Sequence, residues 1–171
     1  MAKGKESKPH VGIYGRRNSG KSSIINMLAG QSVAIVSEQA GTTTDPVKKS
    51  LELTGFGPIV LIDTAGMDDT GDLGKLRVDK TLETIKQVDL GIVVLSRNHM
   101  DEFERMLVES FRKHAVPFIV VHNKQDIEPM TSAFRAEVSK AFDSPTIVEV
   151  SATKSVGLER LAEAIKEAIP E

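Results

Sequence analysis

GRRNSGKS, from Gly15 to Ser22, decides how this chain folds, because it stands between the apolar stretch HVGIY and the helical pattern SSIINMLAG. It fits the pattern G-x-x-x-x-G-K-[ST], which is typical of a glycine-rich loop between a strand and a helix. The backbone N–H groups of such a loop converge on an anion, and the N-terminus of the next helix adds donors and a partial positive charge. The stretch therefore predicts a strand, a phosphate-binding loop and a helix in succession.

The phosphate-binding loop assigns roles to single residues. Gly15 and Gly20 allow the backbone to curl around the phosphates. Lys21 is expected to reach the β- and γ-phosphates and to act in catalysis, and the Ser22 hydroxyl is expected to bind Mg²⁺. The alternative is a glycine-rich turn without a ligand. The predicted nucleotide ligands in this loop are Gly15, Asn18, Ser19, Gly20, Lys21, Ser22 and Ser23.

A second polar motif, DTAG (63–66), ends the apolar run PIVLID. Asp63 is predicted to hold Mg²⁺ through a water molecule. Gly66 has no Cβ, so its N–H can point at a γ-phosphate and take part in catalysis. Together with the phosphate-binding loop, DTAG predicts a metal-dependent triphosphate site.

The third motif, NKQD (123–126), indicates which base is bound. The Asp126 carboxylate can accept hydrogen bonds from guanine N1–H and N2–H₂, which adenine lacks, so the site is expected to select guanine. Asn123 is expected to tie the base site to the phosphate-binding loop, and the Lys124 stem to lie against the purine ring. Ser151 and Ala152, after the last apolar run, are predicted to face the base. A polar turn is the alternative for NKQD taken alone.

Composition describes an ordinary globular chain of 171 residues, with 40% hydrophobic and 27% charged residues. The net charge of −2 gives no basic field toward nucleic acid or an anionic membrane, so neither is an expected partner. The absence of cysteine excludes disulfides, thiolate metal sites and a cysteine nucleophile within this chain. No apolar run approaches the ~18 residues of a membrane span. We expect a cytoplasmic protein with a flexible tail at 1–8 and one domain at 9–171.

Apolar runs alternate with helical patterns along the chain, which predicts an α/β domain with a mainly parallel sheet. Ligands of such sheets lie at the carboxyl ends of the strands. Two polar segments, 31–45 and 64–77, are candidate mobile loops. Two helical faces are predicted, one formed by Phe103, Met106, Leu107, Ser110 and Phe111, the other by Leu158, Leu161, Ala162, Ile165 and Ile169. The predicted strands are 10–15, 47–53 at an edge, 58–63, 90–96, 117–123 and 146–152.

These motifs, in this order, resemble the Era- and TrmE-like branch of the P-loop GTPases over nearly the whole chain. The stretches GTTTDPVKKSLEL and GPIVLIDTAGMDDTGDLGKLRVDKT are similar to the GTPase domain of the HydF family of [FeFe]-hydrogenase maturation scaffolds. The resemblance implies a three-layer, Ras-like fold with a six-stranded sheet and one antiparallel edge. It also implies a GTP-hydrolysing regulatory switch, part of a longer protein that contacts other maturases and the hydrogenase, with a possible dimer of GTPase domains.

The resemblance also assigns residues outside the three motifs. Thr43, in GTTTD (41–45), corresponds to the Mg²⁺-binding threonine of the GTP state, and Thr44 replaces the family's usual arginine. Asn18 resembles the ligand of a monovalent cation, usually K⁺, which would neutralise charge that develops on the phosphates. The alternative for Asn18 is a turn residue. Met67 stands where Ras-type proteins have a glutamine, so hydrolysis is expected to be slow without a cation or a partner.

Two other functions remain open from the sequence. One is a binding switch, in which the two polar loops order around GTP and dock a partner. The other is an Era- or TrmE-like GTPase that acts in tRNA modification or ribosome assembly. The four histidines do not cluster in the sequence, and we interpret them as structural or surface residues rather than metal ligands.

Overall fold

A computed structural model describes residues 8–15, 19–31, 47–53, 56–63, 81–100, 102–124, 127–154 and 156–169. Residues 81–84 are helical and lead into a 3-10 turn, Ile85–Gln87, and a second such turn is Ala152–Lys154. The strands are β1 (His10–Gly15), β2 (Val47–Leu53), β3 (Gly57–Asp63), β4 (Leu90–Ser96), β5 (Phe118–Asn123) and β6 (Ile147–Glu149), and the helices are α1 (Lys21–Gln31), α2 (Glu102–Lys113), α3 (Ser132–Ala141) and α4 (Leu158–Ala168).

The strands form one six-stranded sheet in the order β2-β3-β1-β4-β5-β6. Only β2 runs antiparallel to its neighbour, β3, and every other adjacent pair is parallel. This confirms the predicted fold class, with one antiparallel strand at the edge. The parallel order brings the carboxyl ends of β1, β3, β4, β5 and β6 to one side of the domain.

Helices cover both faces of the sheet, which explains the continuous apolar runs of the inner strands. On one face, α1 and α4 pack on the sheet through side chains that include Ile24, Leu28, Leu161 and Ile165. On the other face, α2 and α3 pack through Phe103, Leu107, Phe111, Phe134 and Val138. Residues Leu90 to Leu95 of β4 are all buried, as expected for a strand covered on both sides.

Aromatic rings fill the face that carries α2. The Phe111 ring lies edge-on to Tyr14, with 5.3 Å between the ring centroids, and stacks on Phe118 at 5.6 Å. Gly91 on β4 makes room for Phe111, since a Cβ at Gly91 would lie 2.3 Å from that ring. The close approach explains a glycine inside a buried strand.

The structure corrects three details of the sequence-based prediction. The last strand is β6 (147–149) rather than 146–152, because Ser151 pairs with Val156 and a 3-10 turn follows. The buried face of α2 includes Glu104 and Val108, whereas Met106 and Ser110 are half-buried. Helix α3 was not predicted, and it begins where the Thr131 hydroxyl oxygen accepts the N–H of Phe134, as an N-cap residue does.

The two predicted mobile loops fall mainly on residues that the structure does not describe. Almost all of 31–45, and all of 64–77, lies outside the described residues. Within the described residues, no helix has both the length and the apolar character that crossing a membrane requires.

Candidate functional site

The phosphate-binding loop begins and ends at buried residues at the carboxyl end of the sheet. Gly15 ends β1 next to Val94 of β4, and Ser19 and Lys21 are 4% and 2% exposed. Gly20 has a φ of 90°, a backbone conformation that strongly favours glycine. Helix α1 begins at Lys21, and the N–H of Ile24 donates to the Gly20 carbonyl at 3.1 Å. The predicted order of strand, loop and helix is therefore present.

The side chain of Asn123 joins three loops. Asn123 ends β5, and its side chain is buried. Its Nδ2 donates to the carbonyl oxygen of Ser19 at 2.9 Å, and its Oδ1 accepts the N–H of Ala152 at 3.0 Å. A Cβ at Gly20 would lie 2.2 Å from Asn123 Nδ2, so the amide and the phosphate-binding loop are in close contact. One amide thus fixes the predicted phosphate and base loops relative to each other.

The segment that follows β6 is also held at the carboxyl end of the sheet. The Val150 N–H donates to the carbonyl of His122 at 2.9 Å. Ser151 and Val156 exchange backbone hydrogen bonds of 3.0 Å, which close the loop around the 3-10 turn. Ser151 and Ala152 are buried beside the end of β5, where the sequence predicted that they face a base.

Lys124 begins a tight turn after β5. Its φ is 64°, and its carbonyl accepts the N–H groups of Ile127 and Glu128 at 3.0 and 2.9 Å. Asp126 stands between Lys124 and Ile127 in the sequence and lies outside the described residues. The turn therefore fixes the chain on both sides of the predicted guanine-binding carboxylate.

Oxygen ligands suited to Mg²⁺ are present at the carboxyl end of the sheet. Asp63 ends β3 in register with Ile13 of β1, and the Ser22 hydroxyl lies exposed in the first turn of α1. A carboxylate and a hydroxyl fit Mg²⁺, which typically takes one or two carboxylates and completes its shell with phosphate oxygens and water. The described residues contain no cluster of three acidic, histidine or cysteine side chains that would hold a metal alone. This donor set therefore fits a metal that arrives with a phosphate.

Three other predicted site residues, Asn18, Thr43 and Gly66, also lie outside the described residues, so their assigned roles stay predictions. Ser23 is half-buried in α1. A cavity of about 450 Å³ borders the site, and its lining includes Ser19, Ser96, Arg97 and Lys124.

A buried chain of hydroxyls links β1 to the segment 81–87. The Tyr14 hydroxyl lies 2.8 Å from Thr84 Oγ1, which donates to the Thr81 carbonyl at 2.6 Å, so Tyr14 is the donor to Thr84. Burial raises the pKa of Tyr14 above its ordinary value, because the charged phenolate would lose its hydration. Because Tyr14 directly precedes Gly15, the base of the phosphate-binding loop is attached to the helix that follows 64–80.

Two residues beside the site, His122 and Asn98, were given no part in it by the sequence analysis. His122, which the sequence reasoning interpreted as structural, is fully buried directly before Asn123. Its Nε2 accepts the N–H of Asn98 at 3.1 Å. The sequence did contain a signal for His122, because a histidine inside an apolar run is unusual. Asn98 gave no signal, because an asparagine after a strand is typical of any turn.

Comparison with known proteins assigns most of the chain to the GTPases that its sequence motifs resemble. Residues 10–124 match the family model described as 50S ribosome-binding GTPase. The chain is 36% identical over 158 residues to the tRNA modification GTPase MnmE of Acinetobacter baumannii, covering 91% of this chain and 34% of that protein. It is 37% identical over 157 residues to MnmE of Aquifex aeolicus, covering 91% of this chain and 33% of that protein. The chain thus spans about one third of the length of these curated relatives.

Solved structures of Era are similar in fold and sequence. Aquifex aeolicus Era bound to GDP and AlF₄⁻ superimposes with a TM-score of 0.75 at 27% identity, covering 95% of this chain and 57% of that chain. Era in complex with MgGDPNP and part of 16S ribosomal RNA gives a TM-score of 0.76 at 28% identity, with the same coverage. These relatives support the Era- and TrmE-like resemblance, and none of them is a hydrogenase maturation protein.

Proposed function

The chain belongs to the 50S ribosome-binding GTPase family of P-loop GTPases, and from this premise we propose that it is a guanine-nucleotide switch that hydrolyses GTP to GDP and phosphate. The family supports GTP binding and hydrolysis in general. The observation that carries the proposal is the Asn123 amide, which bonds to both Ser19 and Ala152. A base held by the loops after β5 and β6 would then stand at a fixed distance from phosphates held by the loop after β1.

The residues of the site have distinct proposed roles in hydrolysis. Lys21 and the N–H groups at the start of α1 bind the β- and γ-phosphates, where negative charge develops in the transition state. Ser22, Thr43 and Asp63 would hold Mg²⁺, which would supply positive charge to offset the negative charge that develops on the phosphates. The N–H of Gly66 orients the γ-phosphate. The Era complex with MgGDPNP, in a protein 28% identical to this chain, supports the choice of this metal.

Asn18 is the proposed ligand of a K⁺ ion. Met67, at the position where a glutamine would orient water, has no group for that task, so charge stabilisation must come from elsewhere. An amide oxygen at Asn18 would hold the cation against the phosphates. This role rests on the sequence resemblance.

Hydrolysis assays in KCl and NaCl test the proposal. We expect GTP turnover to rise at least roughly tenfold in KCl, because one electrostatic contact to a transition state typically contributes about 10²- to 10³-fold. The Asn18→Ala variant should lose the K⁺ stimulation and still bind GDP by calorimetry, whereas Lys21→Ala should be inactive in both salts. Equal wild-type rates in both salts would reject the cation, and no turnover in either would reject the enzyme.

The wider role that we propose is a switch in tRNA modification or ribosome assembly, because the curated relatives are MnmE proteins and the Era structure includes ribosomal RNA. A second candidate is regulation of a hydrogenase maturation scaffold, which rests on the HydF-like sequence at 41–53 and 57–81. A GTP-dependent gel shift of tRNA or a 16S RNA fragment would support the first role. No shift, together with GTP-dependent binding to a purified hydrogenase maturase, would support the second.

A further inference from the structure

We propose that Asn98 is a positioning residue that sets the guanine specificity of this site by bonding to the chain on both sides of the NKQD motif. The inference rests on the proposed function, since it concerns how the same site recognises its base. Asn98 lies in the turn between β4 and α2 and is half-buried.

The side chain of Asn98 bonds to the backbone beyond the NKQD motif. Its Oδ1 accepts the N–H of Thr131 at 2.8 Å, and its Nδ2 donates to the Pro129 carbonyl at 3.0 Å. The Glu128 carboxylate also lies 3.4 Å from this Nδ2. The amide therefore makes two short hydrogen bonds to the loop backbone, which is a more specific arrangement than a contact between surface side chains.

The backbone of Asn98 bonds to the residue on the near side of the motif. Its N–H donates to Nε2 of His122, which directly precedes Asn123. Asn98 thus spans the turn, with its backbone bonded before position 123 and its side chain bonded after position 128. In the sequence, Asp126 stands between these two attachments, and the N–H groups of Ile127 and Glu128 close on the Lys124 carbonyl.

The conformation of Asn98 is adapted to this role. Its φ is 53°, and the preceding Arg97 has a φ of 57°, so two consecutive non-glycine residues are left-handed. Such residues are uncommon outside glycine, although asparagine tolerates the conformation. The turn directs both the N–H and the amide of Asn98 toward the loop that follows β5. This geometry fixes the loop before a nucleotide arrives.

The test compares GDP with inosine diphosphate, which lacks the N2 amino group that Asp126 is expected to bind. The Asn98→Gly variant keeps the left-handed backbone and its N–H but loses both side-chain bonds. We expect its affinity for GDP to fall about tenfold, because two hydrogen bonds of ordinary strength that position the carboxylate are lost. Affinity for inosine diphosphate should fall less, so the ratio of the two affinities should decrease several-fold.

Two variants serve as matched comparisons. Asn98→Asp keeps an acceptor for the Thr131 N–H but places a carboxylate oxygen against the Pro129 carbonyl and the Glu128 carboxylate, so its affinity ratio should be at least as low as that of Asn98→Gly. Asp143→Gly replaces a side chain of similar size at another left-handed position (φ 59°), which is exposed and precedes β6 at the opposite end of that strand. Its affinity ratio should equal that of wild type.

The outcomes separate this inference from the proposed function. A wild-type protein that binds neither nucleotide rejects both. A wild-type protein that prefers GDP, together with an Asn98→Gly variant that has a lower melting temperature but an unchanged affinity ratio, rejects the positioning role alone. A decreased ratio in Asn98→Gly and an unchanged one in Asp143→Gly support it.

Discussion

Asn123 and Gly20 show how single residues determine the geometry of this site. The Asn123 amide satisfies the Ser19 carbonyl and the Ala152 N–H, both at the buried edge of the sheet. Gly20 has no Cβ, and any Cβ there would overlap the same amide. The packing therefore requires a short amide at one position and glycine at the other, and neither requirement depends on a bound nucleotide.

Replacing Asn123 with alanine should destabilise the protein even without a ligand. We expect the free energy of unfolding to fall by about 2–4 kcal/mol, because two buried hydrogen bonds between the loops are lost and a cavity replaces the amide. Urea denaturation of the apoprotein measures the change. GDP affinity should fall as well, since the loops lose their connection.

A double-mutant cycle provides the control for this contact. Gly20→Ala alone should destabilise through overlap with Asn123 and through the left-handed backbone. In the double variant the overlap is gone, so its destabilisation should be smaller than the sum of the two single effects. An additive cycle, or an Asn123→Ala variant as stable as wild type, would contradict the described contact.

Residues of the site that belong to short nucleotide-binding motifs could be found from the sequence, because the ligand requires these residue types at a fixed spacing within each motif. Lys21, Asp63 and Asn123 belong to short motifs that follow strands, so their positions could be predicted from the sequence. Asn98 could not be predicted, because its partners are 24 to 33 residues away along the chain. Only the parallel pairing of β4 with β5 brings them together.

At the scale of elements, strands were predicted well because those covered on both faces are continuous apolar runs. The bounds of β1, β2 and β4 are those predicted. Helix α3 was missed, since its buried face consists of only Phe134 and Val138. The end of β6 was misplaced because Val150 and Ala152 are buried in a loop rather than in a strand. Burial alone does not distinguish the two.

Strand β1 and the segment 81–87 are joined by the Tyr14 hydroxyl, and this link has a predictable pH dependence. Tyr14 is buried with a raised pKa, whereas the unfolded chain should ionise near pH 10. Its contribution to stability is therefore fully present below about pH 10 and is lost as the pH rises further, because only the unfolded state then releases the proton.

The Tyr14→Phe variant tests this link. At pH 7 it should be less stable than wild type by about 1 kcal/mol, the value of one hydrogen bond. The free energy of unfolding of the wild type should fall more steeply than that of the variant above pH 10. The variant should become the more stable protein near pH 11, about one unit above the pKa of tyrosine in the unfolded chain. Urea denaturation at each pH measures this. Parallel pH profiles would contradict it, and Tyr14 is the only tyrosine, so tyrosine absorbance follows its ionisation directly.

At the scale of the molecule, the parallel sheet brings loops from distant parts of the sequence together at the carboxyl ends of its strands. Five strands run parallel, and the loop after β1 meets the loops after β5 and β6 through Asn123, which is 104 residues from Ser19 along the chain. The order of motifs predicted this arrangement and the family. For the wider role the sequence favoured a hydrogenase maturation scaffold, whereas the curated relatives are MnmE proteins about three times as long as this chain, which fits the alternative role better.

Isothermal titration calorimetry with GDP and ADP in the presence of Mg²⁺ tests the central claim most directly. The account predicts one binding site for GDP, and affinity for ADP lower by about 10⁴-fold or more, because adenine would leave the groups that recognise guanine unpaired. Equal affinity for both nucleotides, or no heat from GDP, would contradict a site in which these loops hold guanine and phosphate together.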